Sequence, residues 1–539
     1  MQIHDHIEIT AYKDLYVCCY LYYFALPREF IIEIKDKYEI GEKKMLEFQS
    51  PIGNAYAWDD ETGIFIPFSP TMKAVFEALN RKSLSLDDIV FHLSDKFSKE
   101  DLIFCYNWLK KWGKIRPMKQ KSSTSYKPST SEVRSLLLRT GFTQLTLSVT
   151  EDCNFRCKYC AFSDLYEYTR SQSNKYMKSD TAKRAIDYYF SLLKEGARYN
   201  PKRQPALAFY GGEPLLNFNL IKICVEHIEN EYGNCKTRYT LTTNGSLLDK
   251  EKANWLMEHD FSIAVSLDGP EEEHNRLRVY PNGKGTFREV MGNVTSILKT
   301  GYTKIYCLPV IDWKSDLFKR EEFFSGKDTP PVSFASLVSN EPGSGYFDQF
   351  TEEDHHAFLE QLKNAKKSYS MNLDHQKQRD KLTLFDYLIG QYLKNIIFNG
   401  ISIYSPHPLM PFSSACIPGR KIFVDVDGNF HICEKINSFF PIGNVNEGLN
   451  FENICELLSN YISSMDKCPS CKVRRNCSQC YPKFAMNGLF LCSSEVCREM
   501  EVIMKKAFAE AFAVAEIDPQ FIEKEINSKK ANTKKYYGD

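Results

Sequence analysis

The sequence predicts an α/β protein with a central parallel sheet, a winged-helix-like domain before it and a cysteine-rich region after it. Three observations predict this arrangement. Residues 143–312 alternate between strand and helix patterns, a hairpin and three short helical patterns precede them, and most of the 18 cysteines fall in short spacings. Repeated strand–helix units favour a parallel sheet with right-handed crossovers.

The composition limits the classes of protein to which the chain can belong. With 539 residues the chain is too long for one core, so we expect about three domains. Lys plus Arg equals Asp plus Glu at 69 each, so the charge gives no indication of a nucleic-acid partner. The start of the chain lacks the charged and apolar regions of a signal peptide, and no apolar run is long enough for a membrane. We therefore expect a cytoplasmic protein without a membrane partner, in which reduced, clustered cysteines favour metal over disulfides.

Residues 1–116 are predicted to form the winged-helix-like domain. Its first 55 residues look β-rich, and residues 55–67 carry two apolar arms around an Asp/Glu/Thr/Gly turn, which is typical of a hairpin. Three helical patterns follow, beginning after Ser69, Ser85 and Ser98. Residues 117–140, polar and rich in Ser, Thr and Lys at their start, are assigned to a linker that lets this domain move.

The central strands are predicted at residues 144–149, 206–210, 238–242, 262–266 and 304–310. A loop with the spacing Cys153-x3-Cys157-x2-Cys160 follows the first strand. Three thiolates can hold three corners of an iron–sulfur cube and leave the fourth iron open for chemistry, whereas electron-transfer clusters take four cysteines. Because reactive loops of parallel sheets lie at the carboxyl ends of strands, we expect this loop to cap the sheet. A zinc site with a distant fourth ligand is the alternative.

A second group of cysteines occupies the C-terminal region. Its members are Cys416, Cys433, Cys468, Cys471, Cys477, Cys480, Cys492 and Cys497. Two close pairs among them would also suit a single zinc ion. Five other cysteines lie scattered in apolar surroundings and are expected to be packing residues. These are Cys18, Cys19, Cys105, Cys224 and Cys307.

Several motifs in order resemble the radical S-adenosylmethionine (SAM) enzymes. The three-cysteine loop has the aromatic Tyr159 before its last cysteine, and the next strand ends in Gly211-Gly212-Glu213-Pro214. The third strand ends in Thr242-Thr243-Asn244-Gly245, and the fourth in Ser266-Leu267-Asp268. The order of the C-terminal cysteines resembles the SPASM domain, except that only two residues separate Cys477 from Cys480. The resemblance covers about residues 143–500.

The resemblance implies a fold and a set of cofactor contacts. Residues 141–400 would form a partial (β/α)6 TIM barrel and a bridging region, and residues 401–539 a SPASM domain with a C-terminal helix. A [4Fe–4S] cluster on Cys153, Cys157 and Cys160 would cleave SAM to a 5′-deoxyadenosyl radical. Further cofactor contacts are implied as follows: Gly211, Gly212, Glu213 and Pro214 for the amino group, Asn244 at the third strand end, Ser266 or Asp268 for the ribose, Tyr159 for the adenine, and Arg278 for the carboxylate. For Arg278 an ordinary surface arginine is the alternative.

The SPASM resemblance also implies two auxiliary [4Fe–4S] clusters. One would take Cys468, Cys471 and Cys477 together with a late cysteine, Cys497 or Cys492. The other would take Cys416, Cys433 and Cys480 and lack a fourth protein ligand, unless Cys492 fills that position. An iron left open there would be able to bind a substrate thiolate.

The N-terminal domain indicates which class of substrate the protein acts on. A winged-helix module ahead of this architecture resembles the recognition element of enzymes that modify ribosomally synthesised peptides, where a leader peptide adds as a strand. The resemblance implies a peptide maturase that forms a cysteine thioether in a precursor peptide, with reduced flavodoxin or ferredoxin as electron donor. The alternatives are a carbon–carbon or ether crosslinking cyclase, an anaerobic sulfatase-maturating enzyme that makes formylglycine, a non-catalytic metal-stapled peptide-binding protein, and a DNA-binding winged helix.

Overall fold

A computed structural model describes most of the chain, and the fold is given for that part. The described residues are 45–60, 63–81, 84–113, 127–168, 170–338, 342–371, 381–391, 415–477 and 479–517. The strands predicted before residue 45, Cys18 and Cys19 lie outside these ranges. Of the scattered cysteines within them, Cys105, Cys224 and Cys307 are buried free thiols, as predicted.

The N-terminal part is a three-stranded antiparallel sheet followed by three helices. The strands are β1 (Leu46–Gln49), β2 (Ala55–Asp59) and β3 (Ile64–Pro67), and the helices are α1 (Pro70–Arg81), α2 (Leu86–Leu93) and α3 (Lys99–Gly113). The predicted hairpin and helices are therefore present, with β1 as an additional strand. Helix α2 begins at a capping box in which Ser85 and Asp88 each bind the other's backbone N–H.

Helix α4 (Thr130–Thr140) occupies residues that the sequence assigned to the linker. Ser129 caps it, and the Glu132 side chain returns a bond to the Ser129 backbone. The buried side chains of this helix are Val133, Leu137 and Leu138. They form an apolar stripe, which stabilises a helix here although the preceding residues are polar. The last part of the predicted linker, from Thr130 onward, is therefore helical.

The central sheet follows the predicted order. Its parallel strands are β4 (Gln144–Thr150), β5 (Ala206–Gly211), β6 (Arg238–Thr243), β7 (Ser262–Val265) and β8 (Ile305–Cys307). The helices between and after them are α5 (Ser179–Gly196), α6 (Phe218–Tyr232), α7 (Lys250–Glu258), α8 (Glu271–Leu277) and α9 (Phe287–Leu298). Strand β4 is buried from Leu145 to Thr150, which is typical of a parallel strand covered on both faces.

A sixth parallel segment follows β8. Val332 bridges Cys307 in parallel, and β10 (Ser336–Leu337) pairs with β9 (Val310–Ile311). Helices α10 (Leu317–Ser325) and α11 (Glu352–Met371) flank this edge. In the described ranges the sheet does not close on itself. The architecture is thus an open, parallel α/β sheet of the predicted class.

The C-terminal region joins the other edge of this sheet. Strand β11 (Lys421–Val424) pairs in parallel with β4, and β12 (Asn429–His431), β13 (Gly443–Asn444) and β14 (Gly448–Leu449) continue it antiparallel. Helix α12 (Phe451–Ser464), the hairpin β15 (Ala485–Met486) and β16 (Leu489–Phe490), and helix α13 (Ser494–Ile517) follow. No helix in the described part is long and apolar enough to cross a membrane.

The N-terminal sheet packs directly on helix α13. Phe508 and Phe512 lie 5.6 Å and 5.3 Å from the ring of Phe48, and Phe512 lies 4.3 Å from Tyr56. The Tyr56 hydroxyl donates a 2.7 Å hydrogen bond to Glu516 Oε1. The N-terminal domain, which the linker was expected to let move, is thus packed through buried aromatic residues against the C-terminal helix.

Candidate active site and cysteine sites

The three-cysteine loop begins where β4 ends, at the carboxyl edge of the parallel sheet, as predicted. The buried ring of Phe155 anchors the loop against Tyr280, with ring centroids 5.0 Å apart. The Arg156 N–H donates to Val279 O at 2.8 Å and the Lys158 N–H to Leu277 O at 2.9 Å. The segment after α8 therefore supports one side of the loop.

Gly211 and Gly212 support the other side. The Gly212 N–H donates to Thr150 O and the Glu213 N–H to Asp152 O, both at 2.8 Å. A Cβ on Gly212 would lie 2.0 Å from Asp152 O, and Gly211 has a φ of +142° that disfavours other residues. Glycine is needed here because the two backbones approach each other so closely.

Glu213 holds the next strand end in place. Its carboxylate is fully buried and accepts bonds from Thr243 Oγ1 and the Asn244 N–H, both at 2.7 Å, and from the Leu215 N–H at 3.0 Å. Burial raises the pKa of Glu213 to about 7, against the lowering effect of these bonds. The sequence suggested that this element binds the SAM amino group; the structure uses both Glu213 oxygens within the protein.

Asn244 reaches the cysteine loop itself. Its Nδ2 donates to Asn154 Oδ1 at 2.8 Å and lies 4.0 Å from the Cys153 sulfur. Asn154 in turn donates to Ser246 Oγ at 2.9 Å, and the Ser246 hydroxyl donates to Asn244 Oδ1 at 2.8 Å. The third strand end thus fixes the first cysteine through a closed network of side chains.

Asp268, Arg278 and Tyr159 form a buried cluster beside Cys157. Arg278 Nε lies 2.8 Å from Asp268 Oδ2 and the Tyr159 hydroxyl donates to the same oxygen at 3.2 Å. The Val310 N–H donates to Asp268 Oδ1 at 2.9 Å. Arg278 is 5% exposed, so the surface-arginine alternative is wrong. Asp268, a predicted ribose contact, also orients Arg278 and Tyr159. Ser266 is half-buried and directly follows β7. The SAM contacts of both residues stay predictions.

Each of the three thiols faces a hydrogen-bond donor. Cys153 accepts from the Phe155 N–H at 3.4 Å, Cys157 from Arg278 Nη1 at 3.9 Å, and Cys160 from Gln172 Nε2 at 3.8 Å. Burial raises the pKa of the Cys153 and Cys157 thiols to about 12. Donors aimed at sulfur offset the cost of burying thiolates, and hydrogen bonds to the sulfurs tune iron–sulfur clusters. The three residues therefore fit a cluster.

A cavity of about 480 Å³ opens beside these cysteines. Cys157 and Cys160 line it together with Arg156, Lys158, Gln172 and Gln349. The cavity gives a ligand access to these cysteines, and Arg156 and Lys158 add two cationic side chains to a largely apolar lining. A mostly apolar pocket with a few charged or polar groups is typical of a site for a small molecule.

The C-terminal cysteines fall into two groups. Cys468 interacts electrostatically with Cys471, Cys477, Cys492 and Cys497. Cys433 interacts with Cys416, and Tyr481 lies among the thiols of Cys416, Cys480 and Cys433. Cys492 Sγ lies 3.7 Å from Cys497 Sγ. The structure thus brings Cys492 next to Cys497, and both interact with Cys468.

These groups share a local geometry with the three-cysteine loop. Cys471 accepts from the Val473 N–H at 3.5 Å, and the thiols of Cys433 and Cys477 likewise interact with the N–H two residues later. Both side-chain polar atoms of Asn476 are buried without a partner beside Cys477. Thiol-only donor sets of this kind suit iron–sulfur clusters or zinc. Within the described ranges no three His, Cys, Asp or Glu side chains surround a single metal-ion position.

Several supporting residues escaped prediction from the sequence. Asn154 and Ser246 lie next to recognised motif positions, but a polar residue in a loop carries no signal of its own. Gln172 lies in an irregular segment without periodicity, and Asp60 acts across 414 residues on Arg474. Only the fold brings such residues together.

Comparison with known proteins agrees with this site. The family model of the radical SAM superfamily matches residues 147–313. The chain contains a radical SAM domain. It begins in β4 and includes all three cysteines of the loop and the motifs at the ends of the next three strands.

Known relatives align with different shares of this chain. An uncharacterized protein of Methanocaldococcus jannaschii is 28% identical over 57% of this chain and 90% of its own length. A cysteine-type anaerobic sulfatase-maturating enzyme of Clostridium novyi is 25% identical over 40% of this chain and 56% of its own length. The chain thus spans most of the first relative but only about half of the second.

A solved structure shares the fold. Native anSMEcpe with bound AdoMet matches with a TM-score of 0.51 at 20% identity, over 71% of this chain and 99% of that chain. The same protein with bound AdoMet and Cp18Cys peptide matches with a TM-score of 0.50 at the same coverage. At 20% identity, this similarity shows that the two proteins share a fold.

Proposed function

We propose that the protein is a radical SAM peptide maturase that forms a cysteine thioether in a ribosomally synthesised precursor peptide. The observation that carries the proposal is the loop of Cys153, Cys157 and Cys160, in which each sulfur has a donor. Backbone hydrogen bonds from Gly212 and Glu213 hold the start of this loop in place. A [4Fe–4S] cluster bound there, with SAM, supplies reductive SAM cleavage and hydrogen-atom abstraction from the substrate.

The surrounding residues have positioning roles in this proposal. Asn244 fixes Cys153, and the Asp268–Arg278 pair fixes Cys157 and Tyr159. Glu213 fixes Asn244 through its backbone N–H. Ser266 and the strand end at Gly211–Pro214 remain the candidates for direct SAM contact. Rigid support of this kind keeps the reacting groups aligned and excludes competing reactions.

We assign two auxiliary clusters to the C-terminal cysteines. Cys468, Cys471, Cys477 and Cys497 would hold one. Cys416, Cys433 and Cys480 would hold the other, with an open iron for a substrate thiolate. The grouping of the thiols around Cys468 and around Tyr481 supports this division.

Two observations support a peptide substrate. The radical SAM relative from Clostridium novyi is by name a sulfatase-maturating enzyme, and anSMEcpe has a peptide in its bound form. The three-stranded sheet and three helices ahead of the radical SAM domain offer a separate module for a leader peptide. We expect a reduced flavodoxin or ferredoxin as the electron donor, in a cytoplasm that keeps thiols reduced.

Formylglycine formation is the second candidate, favoured by the sulfatase-maturating relative. The two reactions differ in the bonds that they break and in what happens to the sulfur. Thioether formation breaks one C–H and one S–H bond and keeps the sulfur in the peptide. Formylglycine formation from cysteine removes the sulfur and leaves an aldehyde.

Product analysis tests the proposal. Reconstituted protein would be incubated with SAM, dithionite and a cysteine-containing precursor peptide encoded beside its gene, with the Cys→Ala peptide as control. We expect loss of two hydrogens and a sulfur that no longer reacts with an alkylating agent. Loss of two hydrogens with a free thiol would indicate a carbon–carbon or ether crosslink. An aldehyde that reacts with a hydrazide would indicate formylglycine, and either result would overturn the thioether.

A further inference from the structure

Asp60 links the N-terminal sheet to the C-terminal cysteines. It lies at the end of β2 and is 4% exposed. Its Oδ2 accepts a 2.8 Å bond from Arg474 Nε, and its Oδ1 accepts a 2.9 Å bond from the Arg475 N–H. Its backbone oxygen accepts a 2.6 Å bond from Arg475 Nε. One residue thus receives three bonds from two adjacent residues more than 400 positions away.

The two arginines belong to the turn between two predicted ligands. Arg474–Asn476 form a short 3-10 turn, with Cys471 before it and Cys477 directly after it. The bond to the Arg475 N–H fixes the backbone of this turn.

Docking of the sheet does not depend on Asp60 alone. The aromatic contacts of Phe48 and Tyr56 with α13 and the bond from Tyr56 to Glu516 already hold the sheet in place. A buried carboxylate with two arginines adds little net stability compared with apolar residues, and its best-attested use is to specify one arrangement. The arrangement that Asp60 specifies is that of the cysteine turn.

We propose that Asp60 is a positioning residue for the cysteine site formed by Cys468, Cys471 and Cys477, so that iron binding there and docking of the N-terminal sheet favour each other. The inference rests on the proposed auxiliary cluster at these cysteines. Iron binding and docking of the sheet both need the same ordered turn at Arg474–Asn476, so each favours the other to the same extent. A peptide that binds the N-terminal module would in this way influence the C-terminal cluster.

Substitution of Asp60 with a matched control tests the proposal. Asp60→Ala removes the side-chain acceptors, Asp60→Asn keeps one acceptor without the charge, and Glu516→Gln disturbs docking away from the cysteines. After anaerobic reconstitution, we expect wild type and Glu516→Gln to hold about twelve irons per chain and Asp60→Ala about eight. Deoxyadenosine formation from SAM without peptide should remain at the wild-type level in all of them.

Hydrogen exchange supplies a readout besides iron. Removal of iron from the wild type should raise exchange in the turn after β2 several-fold, and Asp60→Asn should weaken this response. About twelve irons and unchanged exchange in both Asp60 variants would overturn the role of Asp60. A wild type with only about four irons would instead overturn the auxiliary cluster assignment on which it rests. Equal losses in Asp60→Ala and Glu516→Gln would show that docking, and not Asp60, is responsible.

Discussion

Arg278 and Asp268 form an ion pair, 2.8 Å from Nε to Oδ2, that is buried between Cys157 and Tyr159. Burial alone would raise the pKa of Asp268, but the positive charges of the neighbouring Arg278 and Arg320 outweigh it and hold this pKa below its usual value. Arg278 also lies over the Tyr159 ring at 5.2 Å. One pair therefore fixes both Cys157, a proposed cluster ligand, and Tyr159, the aromatic residue before the last cysteine.

Removing one partner of this pair should lower the free energy of unfolding. Arg278→Met leaves the Asp268 carboxylate buried without its cation, and such changes cost about 3–5 kcal/mol of unfolding free energy. The matched control is Arg288→Ala, which breaks the exposed pair with Glu271 and should cost less than about 1 kcal/mol. Denaturant unfolding measures both. Equal effects in the two variants would contradict a structural role for the buried pair.

Gly212→Ala should displace the three-cysteine loop. The added Cβ would meet the backbone oxygen of Asp152 at 2.0 Å, which no side-chain rotation relieves. We expect loss of about four irons of about twelve and no deoxyadenosine formation. Gly292→Ala, in helix α9 with nothing within 4 Å of the new Cβ, is the control and should stabilise the protein slightly. A fully active Gly212→Ala protein would refute the close approach.

His274 should make stability depend on pH. Its Nδ1 accepts from the Asp268 N–H and its Nε2 donates to Thr286 Oγ1, so the neutral ring is held. Burial, aided by Arg278 and Arg320 and opposed by Asp268, lowers the pKa of His274 to about 3. The unfolded chain therefore binds more protons between this value and the ordinary pKa of His, and stability falls as pH decreases through that window.

Urea unfolding of wild type and His274→Gln at two pH values measures this effect. Between about pH 7.5 and about pH 5, His274 should account for a loss of about 2 kcal/mol. The variant, less stable at the higher pH, should lack that part of the decrease. Parallel pH profiles for the two proteins would show that His274 does not titrate between the folded and unfolded states.

In the proposed auxiliary cluster, Cys492 and Cys497 are alternative fourth ligands, because both interact with Cys468 and a cube needs four ligands. We expect Cys497→Ser to lose about four irons and Cys492→Ser to keep all of about twelve. Iron and sulfide analysis of the two reconstituted variants, with Cys455→Ser in helix α12 as control, measures this. The reverse pattern would make Cys492 the ligand.

The sequence predicts much of the fold because its signals are local. The alternating strands, the hairpin at 55–67 and the cap at Ser85 each depend on neighbours in the chain, and the structure has them. Helix α4 was missed because the polar, Ser-rich residues before it mask its apolar stripe. The three-cysteine loop was placed correctly because strand ends of a parallel sheet share one edge.

The roles of single side chains were harder to predict. The SAM contacts of Glu213, Asp268 and Arg278 stay predictions, but the protein groups with which the structure pairs these residues were not foreseen. Pairing depends on which strand ends become neighbours and on how deeply each side chain is buried. The hydrogen bond from Arg474 to Asp60 joins two segments that are 414 residues apart, and no pattern within either segment indicates it.

Iron and deoxyadenosine analysis tests the central claim most directly. Wild type and the Cys153→Ala/Cys157→Ala/Cys160→Ala variant would be reconstituted without oxygen and incubated with SAM and dithionite. We expect about twelve irons and deoxyadenosine in the wild type, and about eight irons without deoxyadenosine in the variant. Zinc in place of iron, with SAM left intact by the wild type, would contradict the account and leave a metal-stapled peptide-binding protein.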